Sequence, residues 1–293
     1  MIVVTGATGH YGKQVVEGLL SKLPASQIGV SVRDPEKARS LTARGVQVTR
    51  GDFADSASMA TAFDGAEQVL LVSANVVGGE AIRLHGNAIQ AAKHAGVKRI
   101  LYTSHQAASA SSKVSFARDH AATEALLQAS GVPFVSLRNG FYTESSLYQL
   151  GGMRETRKLA LPADGPVSWT ARNDLAEAAV ASLTDTNLFD GITPPLTAAE
   201  THTFAQVARI ASEILGHEIV REVISDENYK QGALQRGFPE TMVGMLLSMF
   251  AAIRDGEFEF VDPALGKVLG RKPSDLREVL ARFLSRQASH NGH

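Results

Sequence analysis

The sequence of 293 residues contains no cysteine and only one tryptophan. Without cysteine the chain can form no disulfide, no thiolate nucleophile and no thiolate metal site. An excess of charge is missing too, because 29 basic residues oppose 30 acidic ones and leave a net charge of −1. A balanced charge gives no basic footprint for nucleic acid or for an anionic membrane surface. We therefore expect neither of these partners.

Long hydrophobic runs are also missing. No apolar stretch approaches the roughly 18 residues that a membrane helix needs. The sequence enters the apolar run "IVV" at residue 2 without the basic region that begins a secretory signal. These features, with the lack of cysteine, predict a soluble cytoplasmic protein. The nine histidines show no ligand spacing with carboxylates, so no metal site is expected.

Strand-like and helix-like segments alternate through the first half of the chain. Short runs of Val, Ile and Leu predict strands at 1–5, 28–32, 46–50, 68–73, 99–104 and 133–137. Apolar residues at helical spacing predict the helices between them, at 10–23, 35–43, 56–63, 80–95 and 117–130. This alternation predicts an α/β fold, a Rossmann-like doubly wound parallel sheet with helices on both faces.

The second half is less regular and predicts a smaller α/β lobe. The expected helices lie at 172–184, 203–215, 226–236, 239–254 and 274–286, with short strands near 159–168 and 218–223. We divide the chain into a dinucleotide-binding domain, 1–155, with 165–185 packing back on it, and a substrate-binding lobe, 186–293. The polar tail 287–293 is expected to fray.

Three glycines stand where the first strand gives way to the first helix, in "VTGATGHYG". Gly6 permits a tight turn, Gly9 lets a pyrophosphate approach the backbone, and Gly12 lets the helix pack against the sheet. The helix N-terminus offers N–H groups to the phosphates. An ordinary strand-to-helix turn is the alternative interpretation. The candidate cofactor-binding residues of this loop are Gly6, Thr8, Gly9, His10, Tyr11 and Gly12.

The residues after the second strand bear on the choice of dinucleotide. Arg33 stands where NAD-binding proteins of this fold carry an acidic residue, and Lys37 follows it. The planar guanidinium of arginine suits a 2′-phosphate and can stack on adenine. NADPH is therefore the expected cofactor, while Asp34 keeps NADH possible. The alternative is that "RDPEK" is only a solvated turn.

Further candidates follow the third, fourth and fifth strands, at the sheet edge where ligands bind in open α/β folds. Asp52 is expected beside the adenine amino group. Each serine has an alternative role as a locally bonded loop hydroxyl. The cofactor-binding candidates at this edge are Asp52, Phe53, Ser73, Ala74, Asn75, Thr103 and Ser104.

The Tyr-x-x-x-Lys pair of short-chain dehydrogenases is absent. The residues four positions after the five tyrosines are Val15, Gln106, Ser146, Gly152 and Ala233. A ketone reduced by hydride becomes a basic alkoxide that needs a positioned acid. The absence of the pair therefore argues against the reduction of an isolated ketone.

Several motifs carry a family resemblance. The pattern "H-x-x-T-E-x-x-L" from His120, then "SGVPF", "LRNGFYTE" and "R-x-D-L-A" from Arg172 resemble the NmrA-like atypical short-chain dehydrogenases. Within that family the chain is most similar to bacterial NADPH-dependent quinone oxidoreductases and triphenylmethane reductases. The resemblance covers most of residues 1–185. It implies NADPH bound to the first domain and a substrate cleft under the smaller lobe. Related isoflavone-type reductases carry lysine where this chain has His120, and this departure argues against carbonyl reduction by a tyrosine–lysine pair.

The resemblance implies hydride transfer from NADPH to a small aromatic acceptor, with no metal and no flavin, by a monomer or homodimer. The candidate catalytic residues are Asn139 and Tyr142, with His120 as a helper that orients or protonates a substrate oxygen. A turn role for Asn139 and a packing role for His120 stay open, and Arg138 is expected to form a structural ion pair. The alternatives are a dinucleotide-sensing regulator without turnover and a sugar-nucleotide epimerase.

Overall fold

A computed structural model describes residues 1–147 and 153–290 of the chain. Its main sheet has seven strands in the order β3-β2-β1-β4-β5-β6-β8, and all the pairings are parallel. A second, two-stranded parallel sheet pairs β7 with β9. The strands are β1 Ile2–Thr5, β2 Ile28–Val32, β3 Gln47–Arg50, β4 Gln68–Leu71, β5 Arg99–His105, β6 Phe134–Asn139, β7 Lys158–Leu161, β8 Gly191–Ile192 and β9 Val220–Val223.

Helices connect the strands of the main sheet, as the alternating pattern predicts. The α-helices are α1 His10–Leu20, α2 Arg39–Thr42, α3 Ser56–Ala62, α4 Gly79–His94, α5 Ser115–Ser130, α6 Thr143–Leu147, α7 Met153–Thr156, α8 Arg172–Thr184, α9 Phe204–Leu215, α10 Asp226–Gln235, α11 Glu240–Arg254, α12 Ala264–Leu269 and α13 Leu276–His290. Short 3₁₀ turns cover Ala25–Gln27 and Pro35–Ala38. The predicted Rossmann-like doubly wound fold is confirmed.

The order of the strands fixes where a ligand can bind. The chain runs outward from β1 through β2 to β3, and then returns to place β4 on the other side of β1. Ligands of open α/β sheets bind at such a reversal, outside the carboxyl ends of the strands. Strands β1, β2 and β5 are buried on both faces almost throughout, as in parallel sheets covered by helices.

The chain divides into two compact units. The first contains the main sheet and is made of Met1–Ala110, Phe116–Asn139 and Asn173–Pro194. The second contains Ser111–Ser115, Gly140–Arg172 and the chain from Pro195 on, with an aromatic core in which Trp169 packs against Phe141 and Phe204. The predicted boundaries of the dinucleotide-binding domain, 1–155, and of the substrate-binding lobe, 186–293, stay a prediction.

The structure differs from the sequence-based expectation at several ends. The strand expected near 159–168 stops at Leu161, because Pro162 has no N–H to continue the ladder. Strand β8 was not predicted, since two residues followed by Thr193 and two prolines carry no periodicity. Helix α13 continues to His290 rather than ending at 286, and residues 291–293 of the tail lie outside the described residues.

In the part of the chain that the structure describes, no helix has both the length and the apolar character that crossing a membrane requires.

Candidate functional site

The glycine loop forms a tight turn between β1 and α1. Gly6 adopts a left-handed conformation with φ of +63°, which an L side chain rarely takes. The N–H of Gly9 donates to the carbonyl oxygen of Gly6 at 2.9 Å and closes the turn. Helix α1 then begins at His10, with Gly9 as its N-cap.

The protein itself needs glycine at 12 but not at 9. A Cβ on Gly12 would lie 2.4 Å from the carbonyl oxygen of Gly6 and 3.0 Å from Cα of Ala7, so the close contact of helix and loop excludes any side chain there. Gly9 has an ordinary φ of −82°, and its Cβ would meet only the oxygen of Gly6, at 3.3 Å. The space beside Gly9 therefore fits a ligand that approaches the backbone.

The first turn of α1 has no side chain that competes for its N–H groups. Gly9 provides no side-chain cap, and the first turn contains no acidic residue. Thr8 and His10 are exposed beside it. N–H groups presented in this way, at the positive end of the helix dipole, suit a phosphate. The loop thus fits the pyrophosphate of a dinucleotide.

Tyr11 has a structural task in the same turn. Its ring is buried, and its hydroxyl donates to the carbonyl oxygen of Leu175 at 3.2 Å. This bond joins α1 to α8 within the first unit. The side chain of Tyr11 is therefore directed into the protein, and its backbone is the part that belongs to the helix N-terminus.

The turn after β2 presents two exposed cations, Arg33 and Lys37. Neither side chain has an ion-pair partner among the described residues. The Asp34 carboxylate, in contrast, accepts a hydrogen bond from the N–H of Glu36 at 3.1 Å and caps the 3₁₀ turn. The cations are available to an anionic group, while the nearby carboxylate is committed to the backbone.

Asp52 and Phe53 follow β3 in a compact turn. One Asp52 oxygen accepts from the N–H of Ala54 at 2.9 Å, and its own N–H donates to the Ser58 hydroxyl at 3.0 Å. The Phe53 carbonyl accepts from the Asn87 amide at 2.9 Å. These bonds fix the backbone of the turn at the carboxyl edge of the sheet.

Three side chains hold the end of β4. The N–H of Val72 donates to the Thr5 hydroxyl, that of Ser73 to the Thr103 hydroxyl and that of Ala74 to Nε2 of His85, at 2.9, 2.8 and 2.9 Å. Because these N–H groups donate to side chains and not to backbone carbonyls of a neighbouring strand, β4 ends at Leu71 rather than at the predicted Ser73. We call residues 72–74 the capped edge. Asn75 follows it in an exposed loop.

Ser104 belongs to a buried polar centre around Glu124. Its hydroxyl donates to Glu124 at 2.7 Å, and the Ser136 hydroxyl donates to the same oxygen at 2.9 Å. The Arg138 guanidinium binds both carboxylate oxygens, at 3.0 and 2.7 Å. The expected structural ion pair of Arg138 is confirmed. The Ser104 hydroxyl is therefore bonded within the protein, and its predicted contact with the cofactor stays a prediction.

Three histidines and a tyrosine form what we call the histidine cluster: His85, Tyr102, His105 and His120. The Tyr102 hydroxyl lies 2.7 Å from Nδ1 of His120, and the rings of His105 and His120 stack with centroids 6.1 Å apart. Burial lowers the pKa of His85 to about 4 and that of His105 to about 3. Burial, and then the charges of His105 and His85, lower the pKa of His120 well below its ordinary value. All three rings are neutral near pH 7.

Sequence reasoning selected only His120 from this cluster. His85 lies on α4, and Tyr102 and His105 lie on β5, so the local sequence did not connect them with His120 on α5. Only the position of His105 after Ser104 hinted at the sheet edge. The tertiary fold brings α4 and α5 to β5 and so places the four side chains together.

The two other candidate catalytic residues occupy different units. Asn139 ends β6, is buried, and pairs with His105 across the sheet, its carbonyl accepting from the N–H of Gln106 at 2.8 Å. Tyr142 is half-buried in the second unit, where the Arg172 guanidinium lies 5.2 Å from the centre of its ring. Asn139 therefore lies beside His105 of the histidine cluster in the first unit, whereas Tyr142 belongs to the second unit.

No group of three or more His, Asp or Glu side chains within 1–147 and 153–290 is arranged to hold a metal ion.

Several known proteins are similar to the chain over nearly its whole length. Quinone oxidoreductase 2 of Escherichia coli (strain K12) is 32% identical over 286 residues, which cover 97% of this chain and 99% of that protein. The NAD(P)H azoreductase of Xenophilus azovorans is 30% identical over 273 residues, which cover 92% and 93%.

Solved structures agree with these relatives. The NADPH-dependent quinone oxidoreductase of Escherichia coli, complexed with NADPH, has a TM-score of 0.92 at 32% identity and covers 97% of this chain and 100% of its own. The triphenylmethane reductase of Citrobacter sp., complexed with NADP(H), has a TM-score of 0.90 at 33% identity and covers 96% and 99%. The sequence matches the NmrA-like family over residues 1–280, and the chain therefore belongs to that family.

Proposed function

We propose that the protein is an NADPH-dependent reductase that transfers hydride to a small aromatic acceptor, a quinone or a related dye. The observation that carries the proposal is the near full-length likeness to a quinone oxidoreductase whose crystal structure contains NADPH. The space beside Gly9 and the uncapped first turn of α1 support the dinucleotide. The known relatives support an oxidoreductase, and the acceptor is our inference.

Each part of the candidate site has a task in this proposal. The glycine loop holds the pyrophosphate, and Arg33 with Lys37 holds the 2′-phosphate. Asp52 and Phe53 border the adenine, while the capped edge, Asn75 and Thr103 border the nicotinamide. Asn139 and Tyr142 orient the acceptor.

The sequence offers no tyrosine–lysine acid, and these acceptors do not need one. NADPH supplies the hydride when bound. A quinone keeps the resulting negative charge on an oxygen conjugated with its ring, and a cationic dye becomes neutral. The chain contributes position and the exclusion of water, which supply much of the acceleration in such reactions.

Loss of NADPH absorbance with and without an acceptor tests the function. We expect oxidation that depends on a quinone or a triphenylmethane dye, and transfer of deuterium from labelled NADPH to the central carbon of the dye. A dinucleotide-sensing regulator would bind NADPH without oxidising it. Oxidation of NADPH without transfer of the label would contradict direct hydride transfer.

Arg33→Ala should weaken NADPH binding about fivefold to 150-fold, or about 1–3 kcal/mol, because a charge-assisted bond to the 2′-phosphate is lost. NADH lacks that phosphate and should bind almost unchanged. Calorimetry with both cofactors measures the difference. Arg39→Ala is the matched control, since Arg39 lies in the next turn and is paired with Glu36. Equal losses for NADPH and NADH would indicate that Arg33 acts through adenine stacking instead.

Tyr142→Phe should lower kcat by about tenfold or less, equivalent to about 1.4 kcal/mol, because only an orienting hydroxyl is removed. The ring and its contact with Arg172 remain. Steady-state rates with a quinone measure the effect, and Tyr142→Leu, which also removes the ring, should cost more. A loss of roughly a thousandfold in Tyr142→Phe would make the hydroxyl an essential acid and refute this mechanism.

A further inference from the structure

We propose that Tyr102 is a positioning residue that holds His120 in the neutral tautomer with its proton on Nε2, so that this N–H donates a hydrogen bond to the oxygen of a quinone acceptor. The inference rests on the proposed reduction of a quinone. It gives His120 a defined chemical role and explains why a buried tyrosine stands beside it.

The hydrogen bond at the capped edge fixes the first proton position. The N–H of Ala74 can only donate, and it points at Nε2 of His85 from 2.9 Å. Nε2 of His85 must therefore accept and carries no proton. The proton of this neutral ring is then on Nδ1.

Two hydroxyls continue the pattern. The Thr123 hydroxyl donates to the carbonyl oxygen of Asp119 at 2.8 Å, so it accepts from Nδ1 of His85 at 2.9 Å. The Tyr102 oxygen lies 3.4 Å from the same nitrogen, which already carries a proton and cannot accept. The phenol proton is directed instead to Nδ1 of His120, 2.7 Å away.

His120 then has its own proton on Nε2. In the part of the chain that the structure describes, no group is hydrogen-bonded to that nitrogen. His120 is half-buried as a residue, and its ring stacks on His105, the last residue of β5 at the ligand-binding edge of the sheet. Its lowered pKa keeps it a neutral donor at physiological pH.

A neutral donor suits the charge that develops on a quinone. The quinone gains a hydride, one oxygen becomes anionic, and the imidazole stabilises that oxygen while it keeps its own proton. The proton that completes the hydroquinone comes from water. A cationic triphenylmethane dye gains the same hydride at carbon and develops no anionic oxygen, so the donor gives it no advantage.

The difference between the two acceptors provides the test. Tyr102→Phe removes the bond that selects the tautomer, so we expect the ratio of quinone turnover to dye turnover to fall about tenfold. His120→Leu removes the donor and should lower the ratio about a hundredfold, the scale of a lost oxyanion donor. His120→Gln restores an N–H and should recover part of that loss. Tyr229→Phe is the matched control, because it deletes the hydroxyl of another buried tyrosine.

A second measurement needs no activity. In full-length protein with ¹⁵N-labelled histidine, two-bond ¹H–¹⁵N correlation spectra report which nitrogen of His120 is protonated. We expect the proton on Nε2 in the wild type and a shift towards the other tautomer in Tyr102→Phe. His120→Gln identifies the signals by their loss.

The outcomes separate the two proposals. A wild-type protein that reduces neither acceptor refutes the proposed function, whereas the spectra still test the tautomer. A proton on Nδ1 of His120 in the wild type overturns the inference. So does an unchanged turnover ratio in Tyr102→Phe, which would mean that the hydroxyl affects both acceptors equally and only supports the fold.

Discussion

Gly9→Val should abolish NADPH binding while the fold survives, with a loss of at least about a thousandfold in affinity, or about 4 kcal/mol. The backbone accepts the change, because φ of −82° and ψ of 166° are the extended values that β-branched residues favour. The added Cβ meets only the oxygen of Gly6. The two methyl groups would occupy the space that we assign to the pyrophosphate.

Calorimetry with NADPH measures this loss, and circular dichroism shows whether the fold is kept. Gly12→Ala is the contrasting variant, because its Cβ would lie 2.4 Å from backbone and must distort the loop. We expect Gly12→Ala to lower both stability and binding, and Gly9→Val to lower binding alone. NADPH binding of wild-type strength by Gly9→Val would show that the phosphates do not lie at this loop.

Glu124→Ala should lower the free energy of unfolding by about 3–5 kcal/mol, the usual cost of removing one partner from a buried ion pair. The Glu124 side chain is only 4% exposed and accepts from Ser104, Ser136 and Arg138. Its removal leaves the guanidinium without its counter-charge and two buried hydroxyls without their acceptor.

Urea unfolding followed by circular dichroism measures this loss. Glu17→Ala is the control, because Glu17 pairs with Arg44 on the surface, where both side chains are 45% exposed. That variant should unfold at the wild-type midpoint within error. Glu124→Gln keeps a polar group in place and should be less damaging than Glu124→Ala. If Glu124→Ala and Glu17→Ala unfold alike, the buried centre does not stabilise the protein.

The main sheet could be predicted because its pattern is local. Strands β1 and β2 are buried on both faces; β1 is a continuous run of β-branched residues, and β2 alternates Ile and Val with small residues. Glycines also marked the turn before α1, where the positive φ of Gly6 leaves few alternatives. Strand β8 escaped notice because two residues have no period, and Gly191 pairs with Val135 only through the tertiary fold.

The polar contacts of the site could not be predicted, since each joins residues far apart in sequence. Ser104 looked like a residue at the ligand edge, but its partner Glu124 lies on α5. The role of His85 leaves no pattern in the sequence, because its ring accepts a hydrogen bond from a backbone N–H, that of Ala74, which any residue except proline would provide at that position. The hydrophobic pattern of the sequence can place a residue at an edge of the sheet. Which group its side chain bonds depends on the neighbouring strands and helices.

The capped edge has a consequence for how a ligand is received. Its three backbone N–H groups are already bonded to Thr5, Thr103 and His85, so this loop has few conformations left to lose. Ordering a free residue costs about 1–2 kcal/mol of conformational entropy, and a preorganised surface avoids that cost at the moment of association. In the proposed complex, Thr5 and His85 thereby contribute to the affinity for the cofactor without touching it, because their hydrogen bonds fix the receiving surface when the chain folds.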